Sequence, residues 1–189
     1  MNLKVITSTT RAGAKGISIA NWVMSMIIQE KDVDAELLDL AKINLPFMDE
    51  PNHPRLQQYQ HEHTKAWSTT INSADAFIIV LGEYNYGFPA PIKNALDFLH
   101  KEWMYKPVAI VSYGGVSGGI RSTQMLKQVI TTLHMVPLTD AIVIPFYMKF
   151  IDTDEQFVGD ETLIKSAKFM LTELHKWSHA LRALRPTNT

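Results

Sequence analysis

An α/β fold, with a parallel sheet covered by helices on both faces, is what this sequence predicts, and three observations predict it. Five apolar runs of strand length alternate with amphipathic stretches of helix length. Two of those runs, Ala76–Leu81 (AFIIVL) and Pro107–Ser112 (PVAIVS), are apolar almost throughout, as strands buried on both faces must be. The segments after the first, third and fourth runs are dense in hydroxyls, aromatics or glycines. Ligands of open parallel sheets bind at those carboxyl ends, where the strand order reverses.

The elements follow in order. Leu3–Ile6 is the first strand. Gly16–Gln29 is a helix, because Ile19, Trp22, Val23, Met26 and Ile27 recur at helical spacing. Asp34–Leu40 alternates polar and apolar residues, which suits a strand near the sheet edge. Ile43–Arg55 holds three prolines and reads as a surface excursion. After the third strand, Ala76–Leu81, comes a helix over Pro89–His100, with Ile92, Ala95, Leu96 and Leu99 on one side and a proline in its first turn. The fourth strand, Pro107–Ser112, leads to a helix over Ile120–Met135. Asp140–Pro145 is the last strand, Phe146–Gly159 an irregular link, and Glu161–Leu184 a long closing helix. Parallel strands need crossovers, so these helices must cover both faces. No repeat, low-complexity tract or interdomain linker interrupts the pattern, and one domain is expected over residues 1–185.

Composition narrows the function. The 189 residues are 46% apolar and 20% charged, with a net charge of −1, which argues against a nucleic-acid footprint or a polybasic membrane anchor. The absence of cysteine excludes disulfides, thiolate metal sites and cysteine nucleophiles. No apolar stretch approaches the roughly 20 residues that span a bilayer. The chain starts directly on a strand-like run with no signal-peptide pattern, so a cytoplasmic location is the expectation.

Three loops carry the chemistry. The first, Thr7–Gly16, gathers four hydroxyls, two cations and two glycines at a helix N-terminus, a setting suited to a phosphate. It has neither the spacing of a nucleoside-triphosphate P-loop nor a Gly-x-Gly-x-x-Gly run. The second, Gly82–Pro89, brings three aromatics together with Gly, Asn and Pro, a wall on which a planar heterocycle can stack. The third, Ser112–Gly119, has four glycines that let backbone approach a ligand and leave N–H groups free to donate.

Together these loops resemble a known family. Glu83–Asp97 (EYNYGFPAPIKNALD) is similar to the P-E-Y-N-x-x-x-P-x-x-L-K-N-A-I-D signature of NAD(P)H-dependent FMN reductases, which include quinone, azo-dye and chromate reductases. Thr9–Gly16 resembles that family's S-T-R-x-G-R-x-G phosphate loop, and Ser112–Gly119 its third ligand loop. The resemblance runs in consistent order from about residue 3 to residue 145. It implies a flavodoxin-like three-layer sandwich, with a five-stranded parallel sheet in order 2-1-3-4-5, and an FMN cofactor reduced by NADPH or NADH. Hydride would pass to the flavin and the electrons onward to a small acceptor: a flavin, quinone, azo compound or metal oxyanion. The flavin performs that chemistry, so no catalytic residue is assigned.

Carried onto this chain, the resemblance implies that Thr9, Thr10, Arg11, Lys15, Gly16, Ile17 and Ser18 hold the phosphate. Glu83, Tyr84, Asn85 and Tyr86 would line the isoalloxazine ring, with Ser112, Tyr113, Gly114 and Gly115 at its far edge. Lys93, Asn94 and Asp97 belong to the signature but read as structural, Asn94 and Asp97 tying helix to loop. Three positions depart from the pattern: Gly82 replaces Pro, Ser8 replaces Gly, and Ala14 replaces Arg. The last weakens the phosphate site unless Lys15 substitutes, as a point charge rather than a bidentate fork.

Other readings carry less. Gly115–Gly119 matches the Gly-x-Ser-x-Gly nucleophile elbow, but the strand ends several residues before Ser117 and the late histidines, His175 and His179, lie within a helix. His53, His61 and His63 do not complete a metal set and read as polar residues of a surface helix. A non-enzymatic FMN electron carrier is the alternative function, although such carriers favour a stronger negative charge for docking. A homo-oligomer, dimer or tetramer, is expected from the resemblance. Phe98, Trp103, Met104 and Tyr105, with the aromatic run Pro145–Phe150, supply apolar surface for it.

Overall fold

The computed structural model describes residues 1–185. Its sheet consists of β1 (Asn2–Thr7), β2 (Asp34–Leu38), β3 (Ala76–Gly82), β4 (Pro107–Tyr113), β5 (Val136–Pro137) and β6 (Ile142–Ile144). All pairings are parallel, in the order β2-β1-β3-β4-β5, with β6 also on β4. This is the predicted order. The helices are α1 (Gly16–Ile27), α2 (Leu40–Ile43), α3 (Glu62–Asn72), α4 (Ala90–Asp97), α5 (Ile120–Thr132) and α6 (Glu161–Leu181).

Alternation along the strands divides the core in two. Val5, Ile78, Val80, Ala109 and Val111 face α1 and α6, where Ile19, Trp22, Leu171 and Leu174 pack. Ile6, Phe77, Ile79, Leu81 and Ile110 face the opposite way, toward Trp67, Ile92, Leu96, Leu126 and Ile130. β3 and β4 are buried along their whole length, which accounts for their continuous apolar sequence. β2 alternates because it is an edge. Each fully buried aliphatic side chain contributes roughly 1.5–3 kcal/mol, so these two layers dominate stability.

Two expectations are corrected. The last strand is not one run over Asp140–Pro145 but two pieces on the same side of β4. Residues 137 and 142, five apart, face 108 and 111, three apart, so two extra residues loop out around Thr139 and Asp140. Pro137 has no N–H to continue the ladder. Phe98 and Trp103, expected at an association surface, are fully buried. α4 stops at Asp97, and a 3-10 turn at Lys101–Trp103 folds the following residues inward. There the Trp103 ring lies 5.0 Å from Phe77, and its N–H donates to the Leu96 carbonyl at 3.1 Å. Met104 and Tyr105 are half-buried beside it.

The registers Thr7↔Val80 and Gly82↔Tyr113 level the ends of β1, β3 and β4, so their loops open on one edge. The strand order reverses between β1 and β3, which fixes the ligand crevice there.

Candidate functional site

The loop after β1 is anchored before it opens. Thr7 Oγ1 accepts from the Leu40 N–H at 3.0 Å and donates to Asp39 at 3.2 Å. Ser8 Oγ, fully buried, accepts from the Gly82 N–H at 3.0 Å. Thr9 is buried, whereas Thr10 and Arg11 are exposed. At the start of α1, Ser18 and Ile19 donate to the Lys15 carbonyl. The N–H groups of Gly16 and Ile17, which have no such partner in the first turn, are left for a ligand.

Two predicted phosphate residues are engaged elsewhere. The Ser18 hydroxyl is buried and accepts from the Phe157 N–H at 2.6 Å. The Lys15 ammonium pairs with Glu155, 3.0 Å away on the link between β6 and α6. Arg11 is therefore the cation that the loop presents. Its Nε donates to Tyr84 Oη at 3.3 Å, and that hydrogen bond pushes the guanidinium pKa up from its ordinary value.

The loop after β3 is a tight hairpin-like turn. Tyr84 and Gly87 exchange two backbone hydrogen bonds of 2.9 Å, with Asn85 and Tyr86 both at positive φ (48° and 70°). That turn type usually asks for Asn-Gly, so Tyr86 is a strained residue at the tip. Arg121 holds it, its guanidinium 3.9 Å from the ring centroid. Glu83 does not face outward with the tyrosines. Its carboxylate accepts from Ser117 Oγ at 2.9 Å and Arg121 Nε at 2.8 Å, joining this loop to the loop after β4 and to α5. Burial pushes the Glu83 carboxyl up, but these donors more than offset it and hold it below the usual carboxylate range. The Ser117 hydroxyl is thus committed to a carboxylate rather than to a histidine base.

In the loop after β4, Ser112 is buried against the sheet edge, its hydroxyl 3.5 Å from the Ile142 carbonyl. Tyr113 points back under the phosphate loop. A Cβ built on Gly16 would stand 2.6 Å from Tyr113 Oη, and one on Gly82 3.1 Å away. At Gly16 the phenol leaves no room for a side chain, whereas at Gly82 it would have to give by a few tenths of an ångström. Burial keeps that phenol protonated, pushing its pKa up to about 12. Gly114 and Gly115 line the open side; Gly115 would carry a Cβ into open space.

A fourth loop, after β6, was missed as a site element. The Gly115 and Gly114 carbonyls accept from Phe146 N at 2.9 Å and Tyr147 N at 3.4 Å, bringing the Tyr147 ring to 5.2 Å from Tyr113. The signal was its aromatic density, the same signal that marked the loop after β3.

Asn94 ties helix to loop. Its side chain donates to the Pro46 carbonyl at 2.7 Å and accepts from Met48 N at 3.0 Å, pinning the proline-rich excursion to α4. Asp97 instead pairs with Lys93 on the same helix. A cavity of about 300 Å³ opens between that excursion, Thr10 and the start of α4. Among the histidines, His63 bonds to Asp49 at 2.9 Å and stacks on His61.

The sheet order, the phosphate loop and the aromatic turn agree with the signature in Glu83–Asp97. The pattern described as NADPH-dependent FMN reductase matches residues 1–149. The chain belongs to that family. It is 43% identical over 145 residues to an NAD(P)H-dependent FMN reductase of Schizosaccharomyces pombe, covering 75% of this chain and 72% of that one. It is 31% identical over 146 residues to an NAD(P)H-dependent FMN reductase of Saccharomyces cerevisiae, covering 71% of this chain and 76% of the other. Its fold matches FerB, a flavoenzyme NAD(P)H:(acceptor) oxidoreductase from Paracoccus denitrificans, with a TM-score of 0.71 at 21% identity over 96% of this chain and 97% of that one. As a member of the FMN reductase family, the chain is an oxidoreductase that uses FMN and draws electrons from NAD(P)H.

Proposed function

We propose that this protein passes electrons from NADPH or NADH through FMN to a small acceptor, and that the four-loop crevice is where both reactions occur. The observation that carries this reading is the meeting of Arg11 with Tyr84: the phosphate loop and the aromatic turn touch at 3.3 Å, as two ends of one ligand site. The residues fit FMN. The unpaired N–H groups of Gly16 and Ile17, with Thr9, Thr10 and Arg11, suit a terminal phosphate. Tyr84 and Asn85 offer a face and a polar edge to the ring, and Gly114 and Gly115 offer close backbone. When bound, FMN supplies the redox chemistry; the protein's groups bind it, orient it and fix the loops around it. Glu83 acts through Ser117 and Arg121 as a positioning residue.

Quinones and azo compounds are the acceptors we favour, because the matched relatives include NADPH:quinone oxidoreductases of Oryza sativa and an azoreductase of Staphylococcus saprophyticus. The mostly apolar cavity lined by Thr10, Leu45, Pro46, Phe47 and Pro91 has room for a planar acceptor and borders the phosphate loop. No helix among the described residues is long and apolar enough to cross a membrane. A homo-oligomer is supported by exposed Phe146 and Met148 rather than by the buried Trp103. Steady-state NAD(P)H oxidation with a quinone, an azo dye, free FMN and chromate tests the acceptor class. Turnover with the planar acceptors above that with chromate is expected. Equal or better turnover with chromate would move the assignment to the oxyanion.

A further inference from the structure

Phe47 is 85% exposed, yet the backbone on both sides of it is fixed. The Asn94 side chain on α4 donates to the Pro46 carbonyl at 2.7 Å and accepts from the Met48 N–H at 3.0 Å, so one amide brackets the residue between them. Pro46 restricts its own φ and keeps Leu45 extended. A single exposed apolar residue is ordinary on a protein surface. An aromatic ring held out by a two-point clamp is different, because the cost of ordering its backbone is met before any ligand arrives.

The clamp sets Phe47 on the wall of the cavity of about 300 Å³, with Leu40, Leu45, Pro46 and Pro91 around it. The lining residues carry no charge; Thr10, Asn44 and Asn94 supply its polar groups. Such a lining suits a neutral aromatic ring better than an oxyanion or a phosphate. Both loops of the FMN reading border this space. Thr10 precedes Arg11, which meets Tyr84, and Ala90 and Pro91 follow the aromatic turn.

We propose that Phe47 determines specificity for acceptors with an extended aromatic body: it stacks on the ring that does not react, and Asn94 is the positioning residue that presents it. The proposal rests on the acceptor reading above. The azo dye p-aminoazobenzene carries an aromatic ring on each side of its N=N bond, whereas p-benzoquinone has one ring alone. The two acceptors therefore separate a contact with a second ring from a general loss of activity. Phe47→Ala is expected to raise the KM for the dye about 3- to 10-fold, the scale of one aromatic pair, with that for p-benzoquinone changed less than about twofold. The kcat should stay nearly constant, since the contact holds ground state and transition state alike. Phe47→Tyr, which keeps the ring, should restore the KM. Asn94→Ala should raise the KM for the dye as well, and the double variant should raise it no further than Phe47→Ala alone, because both changes act through one ring. An unchanged KM for the dye, or an equal change for both acceptors, overturns the proposal. Equal change together with a shift in sedimentation would place Phe47 at a subunit interface instead. If the unaltered protein reduces neither acceptor, the acceptor reading fails on its own. Equilibrium dialysis of the dye against the FMN-loaded protein then tests the cavity without turnover. Dye binding that Phe47→Ala weakens supports the contact; equal binding by both proteins, or none, overturns it.

Discussion

The Gly82 N–H donates to the Ser8 hydroxyl at 3.0 Å, joining the ends of β1 and β3 where the crevice begins. These are two of the three positions at which the chain departs from its family's pattern. A proline at 82 has no N–H, so it would need no partner; a glycine there exposes a donor, and a serine at 8 satisfies it. The two departures are one substitution in physical terms. Ser8→Ala should therefore cost about 1–3 kcal/mol, the price of a buried unsatisfied amide, measured by urea denaturation. A loss below about 0.5 kcal/mol, typical of a neutral surface change, would show that the pair is incidental.

Arg11 and Lys15 are expected to behave differently, although the sequence alone offers Lys15 as a substitute for the arginine missing at Ala14. Arg11→Ala should weaken FMN binding by roughly 10- to 100-fold without unfolding the exposed loop. Lys15→Ala should change it by less than about threefold, since its ammonium is held by Glu155, 3.0 Å away, rather than by the phosphate. Equal losses in fluorescence titration would mean that Lys15 leaves Glu155 for the phosphate.

Trp103 and Phe146 separate folding from association. Trp103→Ala opens a cavity among Phe77, Trp67 and Leu96 and should cost about 3–5 kcal/mol of stability. Phe146→Asp, on an exposed aromatic, should leave unfolding nearly unchanged and dissociate the oligomer in sedimentation. Dissociation by Trp103→Ala with full stability would reverse this assignment.

The buried Lys106 makes stability depend on pH. Its ammonium donates to the Ile71 and Asn72 carbonyls at 2.8 and 3.0 Å, yet burial pushes its pKa down to about 7. Between that value and the ordinary lysine range of about 10.4, the unfolded chain holds a proton that the folded chain has lost, so stability should rise with pH. The slope from this group is at most about 1.4 kcal/mol per pH unit. Lys106→Met should flatten the rise between about pH 7 and pH 10. An identical slope in both proteins would place the lysine's charge in contact with water.

Most of the fold was legible in the sequence because burial on both faces leaves an unambiguous mark: β3 and β4 read as apolar blocks. The last strand was less legible, since its interruption depends on where Pro137 falls against β4 rather than on composition. Trp103 was misplaced for a similar reason. A helix continued to His100 would expose it, and only the turn after Asp97 buries it. The site was legible where chemistry repeats in sequence, as in the hydroxyl-rich and aromatic loops. Ser18, Lys15 and Glu83 looked like ligand residues because their partners, Phe157, Glu155 and Arg121, lie from 38 to 140 residues away and no local pattern announces them. The loop that carries Tyr147 is hidden in the same manner, because its aromatic run reads equally well as association surface.

FMN seated in this crevice should accept electrons from a reduced nicotinamide. The most direct measurement is anaerobic titration of the FMN-loaded protein with NADPH and with NADH, following the flavin absorbance. About one equivalent of at least one nucleotide should bleach the oxidised flavin band, and a quinone should then restore it. Flavin that binds but stays oxidised with both nucleotides would contradict the account and identify the protein as an FMN carrier.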